Sequence, residues 1–291
     1  MTPFRDRRLE EELHLGGLDA SAAKDVFGDL TTYLRQPIEE TAKEYWRYHE
    51  GEDVIAQRRV GEAKEEAAVL AYYAATPHYL YELSYWEASL DKQAWFRVVA
   101  LACRKYGLWH VMDFGGGVGG LSRYLHSRGI RCDHLDVAGR TFDYAAWRFA
   151  RRNLDVTMLD VTSPARQPKG PYDAIVAWDV LEHLFDLDGA IQNIAGLLRP
   201  NGWFMSKSTF AVAGGVHEAI HLAQHACYAD VAAFNELVAR SGFRYLGQLK
   251  PNRFSRLLRS CGMPYTVTGI RITPRLKHGG NFLVHERVVH A

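Results

Sequence analysis

The chain has 291 residues, of which 47% are hydrophobic and 24% charged, and its formal net charge is +1. These values are typical of a globular protein, and the near-zero charge excludes a general attraction to nucleic acid or membrane, although a local basic patch stays open. Four scattered cysteines without a Cys-x-x-Cys pair argue against a zinc ribbon or disulfide framework. Residues 1–9 lack the apolar core of a signal peptide, and no segment has the length of a membrane span. We therefore expect a cytoplasmic protein without a nucleic acid or membrane partner.

Residues 1–95 are predicted to form a helical cap over a main domain of residues 96–291. Helical spacing of apolar side chains occurs at 38–48 and 62–73, and Pro77 interrupts the second pattern. An aromatic segment follows at 79–86. Its side chains and the preceding tyrosines either pack between helices or form a lid over a planar substrate, and the set comprises Tyr72, Tyr73, Tyr79, Tyr81, Tyr85 and Trp86.

From residue 107 the pattern changes to strands that alternate with helices. Strands are predicted at 109–114, 130–135, 156–159, 172–177, 202–208, 245–249 and 281–289, and helices at 120–127, 141–153, 187–198 and 230–241. This alternation predicts an α/β fold with a doubly wound, mainly parallel, seven-stranded Rossmann-like sheet. Right-handed crossovers then bring the loops that follow the strands to one edge, where ligands bind. Arg151 and Arg152 are predicted to be solvated.

A glycine-rich loop directly follows the first predicted strand. Residues 113–119 read Asp-x-Gly-x-Gly-x-Gly, with glycines at Gly115, Gly117 and Gly119. Glycine allows a tight turn and close backbone approach to a ligand, and the preceding carboxylate of Asp113 suits a cationic ligand better than a pyrophosphate. The motif resembles motif I of the class I S-adenosylmethionine-dependent methyltransferases. The same loop also fits the weaker dinucleotide pattern Gly-x-Gly-x-x-Gly, and glycines of this kind also occur in ordinary turns.

Three acids that end predicted strands complete the candidate cofactor site. Asp113 is expected to stabilise the methionine ammonium, unless it only caps a strand. Asp136 lies at the spacing where a carboxylate accepts ribose hydroxyls, with a helix N-cap as the alternative. The resemblance implies that Asp160 accepts the adenine amine and that the backbone N–H of Val161 serves the adenine ring. The alternative for Asp160 is a turn aspartate that binds its own backbone.

The segment Trp178-Asp179-Val180-Leu181-Glu182-His183 follows the fourth predicted strand. It resembles the Glu/Asp-x-x-Glu-His block of small-molecule methyltransferases, including the ubiquinone O-methyltransferase group. The resemblance implies that this block lies where the transferred methyl group points, with Trp178 among the cofactor-binding residues. His183 is a candidate general base at neutral pH. The alternative is that Glu182 and His183 only order the next helix and line the cofactor sulfur.

Three histidines at a spacing of four residues would share one helix face: His217, His221 and His225. His221 matches a histidine that overhangs the substrate cavity in similar enzymes, and His217 is the second choice for this position. The alternative is that all three histidines of the segment face solvent. A set of four residues also resembles the two acids and two histidines that hold a divalent ion in RNA 3′-terminal 2′-O-methyltransferases, namely Asp179, Glu182, His183 and His221. The shorter aspartate departs from that pattern, and we prefer a site without metal to a Mg, Mn or Zn site.

The whole pattern predicts methyl transfer from S-adenosylmethionine to an oxygen or nitrogen atom of a small-molecule acceptor, by in-line displacement. Metal-assisted methylation of RNA is an alternative, against which the near-neutral charge counts. A nicotinamide-dependent oxidoreductase would leave Asp113 unexplained. A catalytically silent cofactor-binding subunit is the non-enzyme alternative. The acceptor and the oligomeric state stay open.

Overall fold

A computed structural model of the chain describes residues 17–47, 64–210, 221–252, 255, 267–274 and 282–288. The α-helices of these residues are α1 (Ala20–Leu34), α2 (Ile38–Arg47), α3 (Glu66–Ala75), α4 (His78–Glu87), α5 (Leu90–Tyr106), α6 (Gly120–His126), α7 (Arg140–Arg151), α8 (Leu187–Leu197) and α9 (Val231–Arg240). The strands are β1 (His110–Phe114), β2 (Arg131–Asp136), β3 (Thr157–Asp160), β4 (Tyr172–Trp178), β5 (Leu198–Lys207), β6 (Phe243–Pro251), β7 (Ile270–Thr273) and β8 (Phe282–Arg287). No helix among the described residues has the length and apolar character needed to cross a membrane.

The strands form one sheet in the order β3-β2-β1-β4-β5-β8-β6-β7. Strands β1 to β5 are parallel to one another, whereas β8 is antiparallel to both β5 and β6, and β7 is antiparallel to β6. The predicted doubly wound, mainly parallel sheet is confirmed. The predicted late strand is present as β8, but it lies between β5 and β6 instead of closing the sheet at its edge. The described residues contain eight strands rather than the predicted seven, because the short β7 adds an edge strand beside β6.

The central strands are buried on both faces because helices cover the sheet on each side. Val111 on β1 packs with α5 and α6 on one face, and Met112 packs with α8 and α9 on the other. Both side chains are fully buried, and burial on both faces is why parallel strands have near-continuous apolar sequences. The carboxyl ends of β1, β2, β3 and β4 therefore meet at one edge, and their loops surround the candidate site.

The N-terminal helices form a separate apolar cluster beside this edge. Val26 and Leu30 of α1 pack against Tyr45 of α2 and Tyr85 of α4 in the interior of the cap. Asp19 caps α1 by accepting a hydrogen bond from the N–H of Ala22 at 2.9 Å. Helix α5 runs across residue 95 and packs against the sheet, and the division into domains at 95/96 stays a prediction.

Candidate active site

A cavity of about 560 Å³ lies between the carboxyl edge of the sheet and the cap helices α3, α4 and α5. Its floor consists of the loops after β1, β2 and β4. The cap contributes apolar and aromatic side chains together with charged or polar ones, among them Glu66, His78, Glu82 and Lys92. We call four aromatic residues of the lining the aromatic wall, three from the cap helices α3 and α4 and one from the loop before α8: Tyr73, Tyr79, Trp86 and Phe185. The volume lies within the range of about 300–1,000 Å³ that small-molecule pockets occupy.

The glycine loop forms part of the cavity floor. Gly115 and Gly117 have φ angles of 71° and 56°, in the left-handed region that glycine adopts without steric cost. A Cβ atom on Gly115 would lie 2.4 Å from Cγ2 of Val180. Gly119 also has a positive φ but lies outside the cavity lining and faces the ring of Phe149. The loop conformation is therefore fixed by close packing as well as by access to the cavity.

Asp113 is buried at the end of β1 and serves the start of α6. Its Oδ2 accepts hydrogen bonds from the backbone N–H of Ser122 at 3.0 Å and from the Ser122 hydroxyl at 2.7 Å. Burial raises the pKa of the Asp113 carboxyl to about 6. The carboxyl lines the cavity, but one of its oxygens is committed to α6, as the strand-end alternative implies.

Asp136 lies at the end of β2 and also lines the cavity. Its Oδ2 accepts the N–H of Gly117 at 2.5 Å, and its Oδ1 accepts the N–H of Val137 at 2.7 Å. Burial raises the pKa of this carboxyl to about 6. The helix N-cap alternative is wrong, because the residue before α7 is Gly139 and no side chain caps that helix.

Asp160 adjoins Asp136 in the sheet register but does not line the cavity. Its Oδ1 accepts hydrogen bonds from the N–H of Thr162 at 2.9 Å and from the Thr162 hydroxyl at 2.7 Å. Burial alone would raise the pKa of the carboxyl, but these hydrogen bonds outweigh burial and lower it. The N–H of Val161 donates to the backbone carbonyl of Asp136 at 3.1 Å. The contacts of Asp160 and Val161 with adenine stay predictions.

The segment after β4 brings two histidines together over the cavity. His183 ends a short 3₁₀ turn, Leu181–His183. Its ring lies perpendicular to that of His221, with ring centroids 4.9 Å apart, and edge-on to Tyr73 at 5.6 Å. Both histidines line the cavity, as the sequence predicts. His221 is 5% exposed, so the solvent-facing alternative is wrong for this residue.

His225 does not share this site. It is buried in a 3₁₀ helix, Ala223–Ala229, where its Nε2–H donates to the carbonyl of Leu184 at 2.7 Å. The expected single helix face with all three histidines is therefore absent from the described part of this segment. His217, the second choice for a catalytic histidine, lies outside the described residues.

Glu182 is the buried acid beside the two histidines. It is 1% exposed, and its Oε1 accepts the backbone N–H of Thr209 at 2.9 Å. Burial, reinforced by the negative charge of Asp179, raises the pKa of its carboxyl to about 8. The raised pKa of Glu182 and the lowered pKa of Asp179 together favour a neutral Glu182 beside a charged Asp179.

Three of the four residues of the metal alternative lie together. Ligand atoms of Glu182, His183 and His221 are within 4.8 Å of one another, and this is the only such group of three among the described residues. Asp179 is not part of the group, because its Oδ2 lies 2.9 Å from Nζ of Lys92. The structure therefore brings three acid and imidazole groups together without the first acid of the RNA methyltransferase pattern.

A methyltransferase-domain family model matches residues 69–248, which is well over half of the chain. The chain belongs to this methyltransferase family. The predicted membership among the S-adenosylmethionine-dependent methyltransferases, with S-adenosylmethionine as cofactor, is confirmed.

Relatives are distant. A ubiquinone biosynthesis O-methyltransferase from Chromobacterium violaceum is 23% identical over 167 residues, which are 56% of this chain and 68% of that protein. A hybrid PKS-NRPS synthetase from Macrophomina phaseolina is 30% identical over 135 residues, which are 43% of this chain and 3% of the synthetase. A solved S-adenosylmethionine-dependent methyltransferase from Clostridium acetobutylicum ATCC 824 covers 68% of this chain and 92% of its own, with 9% identity and a TM-score of 0.49. The methyltransferase therefore spans about two thirds of the first relative and a small fraction of the second.

Lys92 is a cavity residue of this methyltransferase that sequence reasoning missed. It lies on α5, pairs with Asp179, and places Nζ 3.7 Å from the ring centroid of Trp178. Trp178 lines the cavity at the end of β4, as predicted, with its ring largely buried. The available signal was helical spacing, since Lys92 stands four residues before the buried Phe96 on the apolar side of α5.

A buried ion network joins the cap of the methyltransferase to its sheet domain. Arg148 is fully buried and donates to Glu87 at 2.5 and 2.9 Å and to Asp29 at 3.0 Å. Arg148 also donates to the carbonyl of Val118 in the glycine loop at 2.8 Å. The whole network comprises three cap acids and three arginines: Asp25, Asp29, Glu87, Arg123, Arg148 and Arg152. Arg152, expected to be solvated, thus pairs with the cap.

Proposed function

We propose that this methyltransferase transfers the methyl group to an oxygen or nitrogen atom of a small molecule that occupies the cap side of the cavity. The observation that carries the proposal is the cavity of about 560 Å³ that joins the glycine loop to the cap helices. An acceptor inside it would lie under α3 and α4. A polymer substrate would instead need an open groove, and the near-neutral charge offers little to a phosphate backbone.

The cofactor end of the cavity is proposed to be the loop after β1 together with Asp136. The cofactor supplies a methyl group already activated by a positive sulfur. Backbone groups of Gly115 and Gly117 lie where close approach is possible, and the Asp136 carboxylate would accept two hydroxyl donors of a ribose. The N–H groups of Gly117 and Val137 hold that carboxylate at the end of β2, so its orientation is set before binding.

The acceptor end is proposed to lie between the aromatic wall and the two histidines. Aromatic side chains favour a flat or apolar acceptor body, while His183 and His221 offer the polar groups at one end. One of the two imidazoles would take the proton of an acceptor hydroxyl as the carbon–oxygen bond forms. For an amine acceptor it would deprotonate the ammonium group beforehand, because only the neutral amine has the lone pair that forms the carbon–nitrogen bond. Glu182, held by Thr209, is proposed to orient the imidazoles. The protein otherwise contributes by positioning the acceptor against the methyl group and by excluding water from the cavity.

The relatives support an O-methylation chemistry without fixing the acceptor. The first is named for ubiquinone biosynthesis, and an acceptor of phenolic type fits the aromatic wall. Methylation of RNA with a bound metal is less favoured, because Asp179 pairs with Lys92 instead of joining Glu182 and the histidines. The cytoplasmic location and the absence of nucleic acid and membrane partners stay predictions.

A labelling assay tests the proposal. The protein is incubated with methyl-tritiated S-adenosylmethionine and separate panels of phenols, carboxylic acids and amines, with total RNA and a polypeptide extract as competing acceptors. We expect label in a small molecule, with much less label for the His183→Ala or His221→Ala variant and none without protein. Label that enters only RNA or polypeptide would contradict the small-molecule proposal. Binding of S-adenosylhomocysteine without transfer to any acceptor would favour a silent subunit.

A further inference from the structure

The cap end of the cavity, which is the part lined by α3 and α4, carries acids without matching cations. The lining residues of these two helices include Glu66, Glu82 and Glu87, and none of them is a lysine or an arginine. Among the described residues that line the whole cavity, the only such cation is Lys92 on α5, which pairs with Asp179 at 2.9 Å. An acceptor with a carboxylate or phosphate at the cap end would therefore meet negative charge without a counterion.

Five of the seven acids in this lining are already held by protein donors. Glu87 is paired with Arg148, and the other four accept hydrogen bonds or an ion pair: Asp113, Asp136, Asp179 and Glu182. The two that remain are Glu66 and Glu82. Glu66 lies in the first turn of α3, where a carboxylate stabilises the helix N-terminus. Glu82 has no such role, because it lies in the middle of α4.

His78 holds the Glu82 carboxylate at the cap end. Nε2 of His78 lies 2.8 Å from Oε2 of Glu82, and the two side chains are 4% and 14% exposed. No other hydrogen bond or ion pair to Glu82 occurs in the described part of the chain, so its Oε1 is available to a ligand. Burial raises the pKa of Tyr73 and of Tyr79, and the negative charge of Glu82 raises both further. The carboxylate is therefore close to two members of the aromatic wall.

A row of aromatic rings connects this acid with the two histidines of the acceptor end. The ring centroid of Tyr73 lies 5.6 Å from that of His183 and 5.4 Å from that of Tyr79. The ring centroid of Tyr79 in turn lies 5.6 Å from that of His78. The faces of aromatic rings attract cations as well as flat apolar groups. An acceptor that lies along this row would have its methylated atom at the histidines and its other end at Glu82.

We propose that the acceptor carries a cationic amine at the end remote from the methylated atom, and that Glu82 binds this amine. The aromatic wall would enclose the carbon chain next to the ammonium group, and His78 would hold the carboxylate in position. A largely buried carboxylate gains an opposite charge in this complex, and charge-assisted hydrogen bonds are roughly twice as strong as neutral ones. The inference rests on the proposed small-molecule function and adds the class of acceptor, a flat molecule with a basic amine.

Two series of matched probes test the inference. Tyramine, 4-ethylphenol and 3-(4-hydroxyphenyl)propanoate share one ring and have a cationic, a neutral and an anionic end, and tryptamine, 3-ethylindole and indole-3-propanoate form the corresponding indole series. Binding to the protein saturated with S-adenosylhomocysteine is measured by ligand-observed NMR titration at pH 8, where amines are charged and imidazoles are mostly neutral. In at least one series we expect the amine to bind about 10-fold or more tightly than the neutral probe, as a charge-assisted hydrogen bond would provide. The anion should bind most weakly.

The Glu82→Gln variant should lose the preference for the amine, because the amide keeps the shape of the side chain without its charge. The matched control is Glu286→Gln, which should keep the preference. The Glu286 side chain has a similar exposure of 16% and pairs with Arg244 outside the cavity. Binding of S-adenosylhomocysteine verifies that each variant is folded, and the order of the three probes in wild type tests the inference without any substitution.

No preference for the amine in either series, or a preference that survives in Glu82→Gln, would overturn the inference. A preference that is lost in Glu66→Gln and kept in Glu82→Gln would overturn the role of Glu82. Binding is measured without methyl transfer. Absence of label from every small molecule would therefore contradict the proposed function, while the probe affinities still decide the role of Glu82.

Discussion

Replacing Arg148 with methionine should destabilise the methyltransferase by about 3–4 kcal/mol, because loss of one partner in a buried ion pair costs about 3–5 kcal/mol. The guanidinium is fully buried and donates to Glu87, Asp29 and the carbonyl of Val118. The two acids do not lose all their partners: Arg123 lies 2.7 Å from Glu87, and Arg152 lies 2.6 Å from Asp29. The cost therefore falls in the lower part of that range.

Urea denaturation followed by tryptophan fluorescence measures this loss. The control is Arg244→Met, since the Arg244 side chain is 66% exposed in its pair with Glu286 and such surface pairs contribute at most about 1 kcal/mol. A loss below about 1 kcal/mol for Arg148→Met, equal to that of the control, would refute the reasoning that the buried network holds the cap in place.

The same variant has a defined pH dependence. Burial alone would raise the pKa of Glu87, but Arg148 and Arg123 outweigh burial and lower it below its ordinary value of 4.5. A lowered acid pKa contributes stability above the ordinary value that is lost as pH falls through the folded-state value. The difference in unfolding free energy between wild type and Arg148→Met should therefore shrink as the pH falls below about 4.5. A difference independent of pH would contradict the assigned pairing of Glu87.

Three further predictions concern the cavity. Gly115→Ala should destabilise the protein more than Gly129→Ala in thermal unfolding. The φ angles of the two glycines are similar, 71° and 74°, but only at Gly115 would an added Cβ atom lie 2.4 Å from the Val180 side chain. Equal losses of stability would contradict this explanation by packing. Asp136→Asn should weaken S-adenosylhomocysteine binding by about 1–3 kcal/mol in calorimetry. In wild type this affinity should fall below pH 6, where protonation removes the ribose acceptor, since the pKa of Asp136 is about 6; an affinity that does not change with pH would refute the ribose assignment. Glu182→Gln should keep more transferase activity at pH 7 than Glu182→Ala, because the pKa of Glu182 is about 8 and the amide resembles the neutral acid; equal activities would contradict a neutral Glu182.

Local rules were sufficient for the parallel strands and the glycine loop. Strands such as β1 and β4 are short apolar segments that end in an acid or a glycine turn, and this pattern identifies both the strand and the edge where its loop lies. The strand β7, with only four residues in an alternating pattern, was missed because its place depends on pairing with β6. The edge of the sheet was therefore the part of the fold that local patterns predicted least well.

Side chains that depend on docking of the cap were not predictable from spacing. Lys92 and Asp179 are 87 residues apart in the sequence, and Arg148 and Asp29 are 119 residues apart. No local sequence pattern therefore predicts either contact. Asp160 illustrates the converse difficulty. A carboxylate that follows a strand gives the same sequence pattern whether it binds a ligand or only its own loop. The contacts of Asp160 with the N–H and hydroxyl of Thr162 do not distinguish the two, because they occupy only one of its oxygens.

A crystal structure of the protein with S-adenosylhomocysteine tests the central claim most directly. The account predicts the ligand between the glycine loop and the cap, with its ribose hydroxyls at Asp136 and its sulfur toward His183. Ligand bound outside this cavity, or a cavity that stays closed by its own aromatic wall at saturating ligand, would contradict it.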